Sequence, residues 1–268
     1  MLPYIREVSA LNIRIKFSKH GSMKFIGHLD IMRFFQKAII RAGIDISYSE
    51  GYNPHQIMSF AAPLSVGVVS DGEYMDIAVK SSMTSVDAVK ALNNCMVEGV
   101  RVEDYKLLPE HAKNSMSIVA SARYAIYNKT SSVGFINDID ALKKKIEEYL
   151  NKDEILVTKE TKKGEATLDL KPNIYEFKAE CFNSADEEVS ARPALIFNIS
   201  TGSVTNIKPE LLMQSFFGFC GAEYNENDYQ VYRIEVYGRD ESDNLISLND
   251  LGANIEYEIN PDQNADKS

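Results

Sequence analysis

From Leu11 to Phe17 the chain reads LNIRIKF, placing Leu11, Ile13, Ile15 and Phe17 on one side of an extended backbone and Asn12, Arg14 and Lys16 on the other. A period of two marks a half-buried strand, and it recurs in EYMDIAV (73–79), ARYAIY (122–127), ALIFNIS (194–200) and YQVYRIEVY (229–237). Helical spacing separates these strands. Gly27 can open a helix that runs to about Ala42 and stops at Gly43, with Asp30 a favourable charge in its first turn. Leu29, Met32, Phe35 or Gln36, and Ile39, widened by Phe34 and Ala38, form its expected buried stripe, while Arg33, Lys37 and Arg41 repeat every four residues on another face. Thr84 and Ser85 can cap a second helix over Val86 to Val97. With Ile44 to Tyr48, Gln56 to Phe60 and Val100 to Leu107 as further strands, the order is strand, helix, two strands, helix, strand. That is the plan of a ferredoxin-like unit, an antiparallel sheet with its helices on one face.

The polar stretch Leu108 to Ser117 reads as a linker, and the pattern then starts again. A Lys/Glu-rich amphipathic helix is expected over Ile136 to Leu150, strands at Ile155 to Lys159, Glu165 to Leu170 and Tyr175 to Cys181, and a helix over Glu210 to Phe217 with Pro209 in its first position. The expectation is therefore an α+β fold of two tandem ferredoxin-like (βαββαβ) domains, 1–112 and 113–239, followed by an acidic tail at 240–268 that is partly disordered. At 268 residues and 44% hydrophobic, the chain is long enough for two small cores.

The formal net charge of -10 disfavours nonspecific binding to a polyanion, but the charge is not spread evenly. From Asp240 onward eight acidic residues face Lys267 alone, whereas Met1 to Phe60 holds eight Lys or Arg against four acids. The tail can solubilise the chain or cover the basic surface in competition with a nucleic acid. No apolar run reaches a membrane span, and Met1 to Ala10 lacks an apolar signal-peptide centre, which predicts a cytoplasmic protein. Cys95, Cys181 and Cys220 form no CxxC pair, so neither a disulfide framework nor a cysteine-built metal site is expected.

The densest chemistry lies between Gly27 and Asp76, in GHLDIMRFFQKAIIRAG and YSEGYNPHQIMSFAAPLSVGVVSDGEYMD. His28 and Asp30 sit at a helix start, where N–H groups and the dipole favour an anion, and Arg33 follows one turn later. Equally, His28 and Asp30 can serve as caps with Arg33 paired to Asp30. If the Asn53-Pro54-His55 turn approaches that helix start, His28, Asp30 and His55 form a general acid–base cluster, or part of a metal shell with Glu73 or Asp76. Without ligand spacing the expectation is no metal, and without a phosphate-binding glycine fingerprint it is no cofactor. Tyr48, Tyr52 and Asn53 neighbour Lys24, Arg33, Lys37 and Arg41 in sequence, a pairing of aromatics and cations that suits stacked bases and phosphates.

These same segments, with NIKPELLM at 206–213, resemble the uncharacterised bacterial family of radical SAM-linked proteins, whose motifs read SHLD and YSxGFNPHP. Gly27 stands in place of the motif Ser, Glu50 in place of a commonly uncharged residue, Tyr52 in place of Phe and Gln56 in place of the second Pro, while His28, Asp30, Asn53, Pro54 and His55 match. The resemblance implies a radical S-adenosylmethionine enzyme as partner and a link to RNA modification. Lacking a CxxxCxxC cluster site, the chain cannot itself perform radical chemistry. The leading expectation is a noncatalytic module that presents a transfer or ribosomal RNA to that enzyme. The alternatives are a metal-independent RNA-processing or RNA-modifying enzyme using His28 and His55, and a protein-only adaptor.

Overall fold

The computed structural model describes residues 10–130, 135–161, 164–184, 191–203 and 205–260. In chain order the elements are β1 (Leu11–Lys19), α1 (His28–Arg41), β2 (Met58–Phe60), β3 (Val69–Val79), α2 (Ser85–Asn93), β4 (Val100–Leu107), α3 (Ser115–Ile118), β5 (Ser121–Asn128), α4 (Ile139–Leu150), β6 (Leu156–Thr161), β7 (Gly164–Asp169), β8 (Ile174–Phe182), β9 (Arg192–Ser200), α5 (Pro209–Phe219), β10 (Tyr229–Arg239) and β11 (Leu245–Ser247). The result is a mixed α/β protein with a large, mostly antiparallel sheet.

Local chemistry accounts for several boundaries. Gly43, at φ +72°, ends α1 in a left-handed conformation that a side chain would strain. Thr84 caps α2 by accepting from the Asp87 N–H at 3.2 Å, and Asp138 caps α4 by accepting from the Ala141 N–H at 3.0 Å. In α1 the buried residues are Ile31, Phe35, Ala38 and Ile39, so the stripe is rotated from the expected one, and Leu29 is 60% exposed. Ile44 to Tyr48 and Gln56 to Phe60 depart from the strands that the sequence predicts. They contribute isolated bridges, Ile46 to Val79 and Tyr48 to Gln56, and only the short β2.

One nine-stranded sheet runs through both halves in the order β4-β1-β3-β10-β5-β9-β8, with β2 also on β3 and β11 also on β10. The halves meet where β3 and β10 run parallel over Tyr232 with Val69 and Arg233 with Ser70. β6 and β7 form a separate hairpin. Ile13, Ile15, Phe17, Met75 and Ile77 pack on α1 and α2 in one core, and Tyr124, Ile126, Phe177, Phe197 and Val231 pack on α4 and α5 in another. Val69, Ala125, Tyr127, Ala194, Ile196 and Tyr232, which alternate with these positions, make a smaller third cluster.

The acidic C-terminal segment departs from the expectation of a loose end. β11 pairs with β10, Ala253 bridges Leu107, and Ile259 bridges Ser82. Ile255 is buried in the core of the first half, with its N–H bonded to Ser85 Oγ at 2.8 Å. Asp240 to Asn260 is thus a strap from β10 back to α2 and β4, with Leu248 and Ile255 turned inward and Tyr257 exposed; residues 261–268 lie outside the described residues.

Candidate functional site

α1 presents Arg33, Lys37 and Arg41 to solvent as its sequence period requires. Arg33 lies 3.5 Å from Asp30 in an ion pair whose partners are both 68% exposed, and Arg41 donates to the Cys95 carbonyl at 3.2 Å. Residues 49–55 turn beside this helix. Ser49 Oγ accepts from the His55 N–H at 3.1 Å and lies 2.8 Å from His55 Nδ1, closing the turn on itself. Gln56 is buried and donates to the Gln36 carbonyl at 3.0 Å, fastening the turn to α1. Tyr52, 99% exposed, stands out from it, with Asn53 also exposed and Tyr48 46% exposed.

His28 occupies the first position of α1, edge-on to Phe60 at 5.1 Å between ring centroids. Among the described residues, no hydrogen bond, ion pair or ring contact joins His28 to His55, or either histidine to Asp30. The three residues of the expected acid–base cluster therefore have separate partners: Phe60, Ser49 and Arg33. Glu73 and Asp76, the further carboxylates of the alternative metal shell, are taken by Arg233 and by Arg14 with the Ser115 N–H. No group of three or more potential metal ligands occurs among the described residues. Lys24 is also apart from the α1 row, because its Nζ donates to Gln230 Oε1 on β10 at 3.1 Å.

A second concentration of polar groups lies at the β3–β10 seam. Arg233, 2% exposed, donates through Nη1 to the Ala62 carbonyl at 2.7 Å and through Nη2 to Glu73, while its buried Nε has no acceptor. Lys19 is 4% exposed and its side chain makes no hydrogen bond or ion pair among the described residues; burial lowers its pKa, nearby Glu73 opposes this, and Arg233 adds to the lowering. Farther along, Asp71 lies 2.7 Å from His20 Nε2 and accepts from Tyr232 Oη at 2.5 Å. Burial alone would raise the Asp71 pKa, but hydrogen bonds to His20 and Tyr232 bring it below the usual carboxylate value.

Beside Arg233 a cavity of about 310 Å³ opens between the Ala61–Ser65 loop and residues 206–210 at the start of α5. It gathers the AAPLS and NIKPE portions of two segments that are 140 residues apart in the chain. Among the described residues no histidine lines this place. A signal was present, since Glu73 shares the period-two register of Met75, Ile77 and Val79, and Arg233 that of Val231 and Tyr229, so both charges stand at core positions.

A family model described as an uncharacterised protein conserved in bacteria, domain of unknown function 2344, matches residues 12–209. The chain belongs to this family. The matched region covers α1, the 49–55 turn, the Ala61–Ser65 loop and the Asn206–Pro209 stretch, and ends before Glu210 and Arg233. No curated protein matches the chain. No helix among the described residues is long and apolar enough to cross a membrane.

Proposed function

We propose that this protein is a cytoplasmic, noncatalytic RNA-recognition module that presents a transfer or ribosomal RNA to a radical S-adenosylmethionine enzyme. The observation that carries this reading is Tyr52, an aromatic ring 99% exposed on a turn that Gln56 fastens to the helix bearing Arg33, Lys37 and Arg41. An exposed ring held by a rigid turn offers a stacking platform, while cations on the adjacent helix meet phosphates. The Lys37 side chain has no ion-pair or hydrogen-bond partner among the described residues, and the Arg33 and Arg41 contacts are solvent-exposed, so an incoming phosphate displaces little. We read each half as a ferredoxin-like unit. The strand orders β4-β1-β3-β2 and β10-β5-β9-β8 support that reading, with the units joined edge to edge at β3 and β10. The radical-enzyme partner rests on the resemblance of the HLD and YSxGYNPH motifs.

The reading is tested by recovering tagged protein at low salt and sequencing the RNA that accompanies it. A defined transfer or ribosomal RNA, lost when Arg33, Lys37 and Arg41 are changed to Glu, is the expected result. Recovery of a radical enzyme with no RNA would replace it with an adaptor role.

A further inference from the structure

We propose that the cavity beside Arg233 is a phosphate-binding site that takes a small phosphate ester. This inference does not rest on the RNA reading.

The first observation is a charge imbalance. Arg233 is buried with Glu73 as its ion-pair partner, and Lys19, also buried, feels the same carboxylate without an ion pair to it. A buried cation without a counter-charge is costly, so an anion reaching this place is attracted strongly. Glu210 and Lys208 line the cavity with opposite charges. Of the charged residues that line it, Arg233 and Lys208 stand against Glu210, while Glu73 pairs with Arg233 outside the lining.

The second observation is geometric. Arg233 lines the cavity with Nε buried and without an acceptor, although its two terminal nitrogens are engaged. An arginine fixed in this way has lost its freedom before any ligand arrives.

The third is the start of α5, an 11-residue helix. Its cap residue, Lys208, has no side-chain acceptor and makes no cap hydrogen bond. The positive end of the helix dipole and an exposed ammonium therefore stand at the rim of the same cavity that Arg233 lines. Ser65 and Thr201 add hydroxyls, while Leu64 and Met116 add apolar wall. A volume of about 310 Å³ exceeds what one phosphate fills and lies at the low end of small-ligand pockets. Charge, donors and apolar wall together fit a phosphate carrying a small organic body.

The test is calorimetric titration of the full chain with inorganic phosphate and with adenosine and uridine 5′-monophosphates, against sodium chloride at matched ionic strength. Saturable phosphate binding is expected, weakened roughly ten-fold or more by Lys208→Glu. Because Arg233→Met strips Glu73 of a partner and can unfold the chain, the exposed Lys208 variant carries the test, with circular dichroism showing that it folds. Tighter binding of a monophosphate than of phosphate identifies an ester as the ligand. Binding of phosphate with no gain from either nucleoside, absence of saturable binding, or equal binding by Lys208→Glu and the native chain overturns the proposal. Charge reversal of Arg33, Lys37 and Arg41 should leave phosphate binding unchanged, which separates this site from the RNA surface.

Discussion

The guanidinium of Arg233 on β10 donates to the carboxylate of Glu73 on β3, so a buried ion pair spans the strands through which the two halves share one sheet. The parallel pairing there covers only two residue pairs, and the polar contacts around it supplement a short backbone ladder. Lys16 with Glu235 at 2.7 Å, and Tyr74 Oη with Glu235 Oε1 at 2.6 Å, cross the same seam.

Removing one partner of the Arg233–Glu73 pair should cost about 3–5 kcal/mol, because the remaining charge stays buried. The two single variants should differ. Glu73→Gln strands both Lys19 and Arg233, whereas Arg233→Met leaves Lys19 facing Glu73, so the Glu73 variant loses more. Urea unfolding midpoints measure this; equal loss would mean that Lys19 does not share the carboxylate.

Ile255 joins the C-terminal strap to the first core at 6% exposure. Ile255→Ala should destabilise the chain by about 2–5 kcal/mol, the range for a large-to-small change in a core. A cost within a few tenths of a kcal/mol, as for an exposed site, would show that the strap does not hold the first half together.

Two glycines should respond with opposite signs. A Cβ on Gly72 would lie 2.7 Å from the Glu235 Cα, so Gly72→Ala must push β3 and β10 apart and lower the melting temperature. Gly27, the cap of α1, has open space around it and no side-chain cap bond, so Gly27→Ser should raise stability by a few tenths of a kcal/mol. Thermal melts of the two variants read both signs.

Asp71 gives a pH dependence with a defined direction. Its folded pKa is depressed, so its contribution is complete above the unfolded value of about 3.9 and is lost as pH falls toward the lower folded value. Asp71→Asn should flatten the stability-versus-pH curve in that acidic window. An unaltered acid limb would contradict the hydrogen bonding to His20 and Tyr232.

What could be read in advance follows from how local each signal is. The alternation of Leu11 to Phe17, the Thr84 cap and the Gly43 stop act within a few residues, and the structure places β1, α2 and the end of α1 accordingly. Leu29 misled because hydrophobicity alone does not fix helical phase, and Ile31, Phe35 and Ile39 set the buried stripe instead. The GVVSDGE segment has turn chemistry, yet Val69 to Asp71 extend β3 because Val69 and Ser70 find partners on β10, a contact more than 160 residues distant. The seam cavity was hidden for the same reason, since AAPLS and NIKPE meet only once the sheet has formed. Of the expected interface residues, Arg33, Lys37, Arg41, Tyr48, Tyr52 and Asn53 lie on α1 or at the turn fastened to it, whereas Lys24 is drawn off to Gln230.

The most direct measurement of the RNA reading is the salt dependence of binding to the co-purified RNA by the native chain and by Tyr52→Ala and the Arg33→Glu, Lys37→Glu, Arg41→Glu variant. Phosphate contacts predict affinity falling linearly with log salt, with a shallower slope in the charge variant. Tyr52→Ala should lose about 1–3 kcal/mol with the slope unchanged, as loss of one stacked base requires. Salt-independent binding, or native affinity in both variants, would contradict recognition of RNA through this surface.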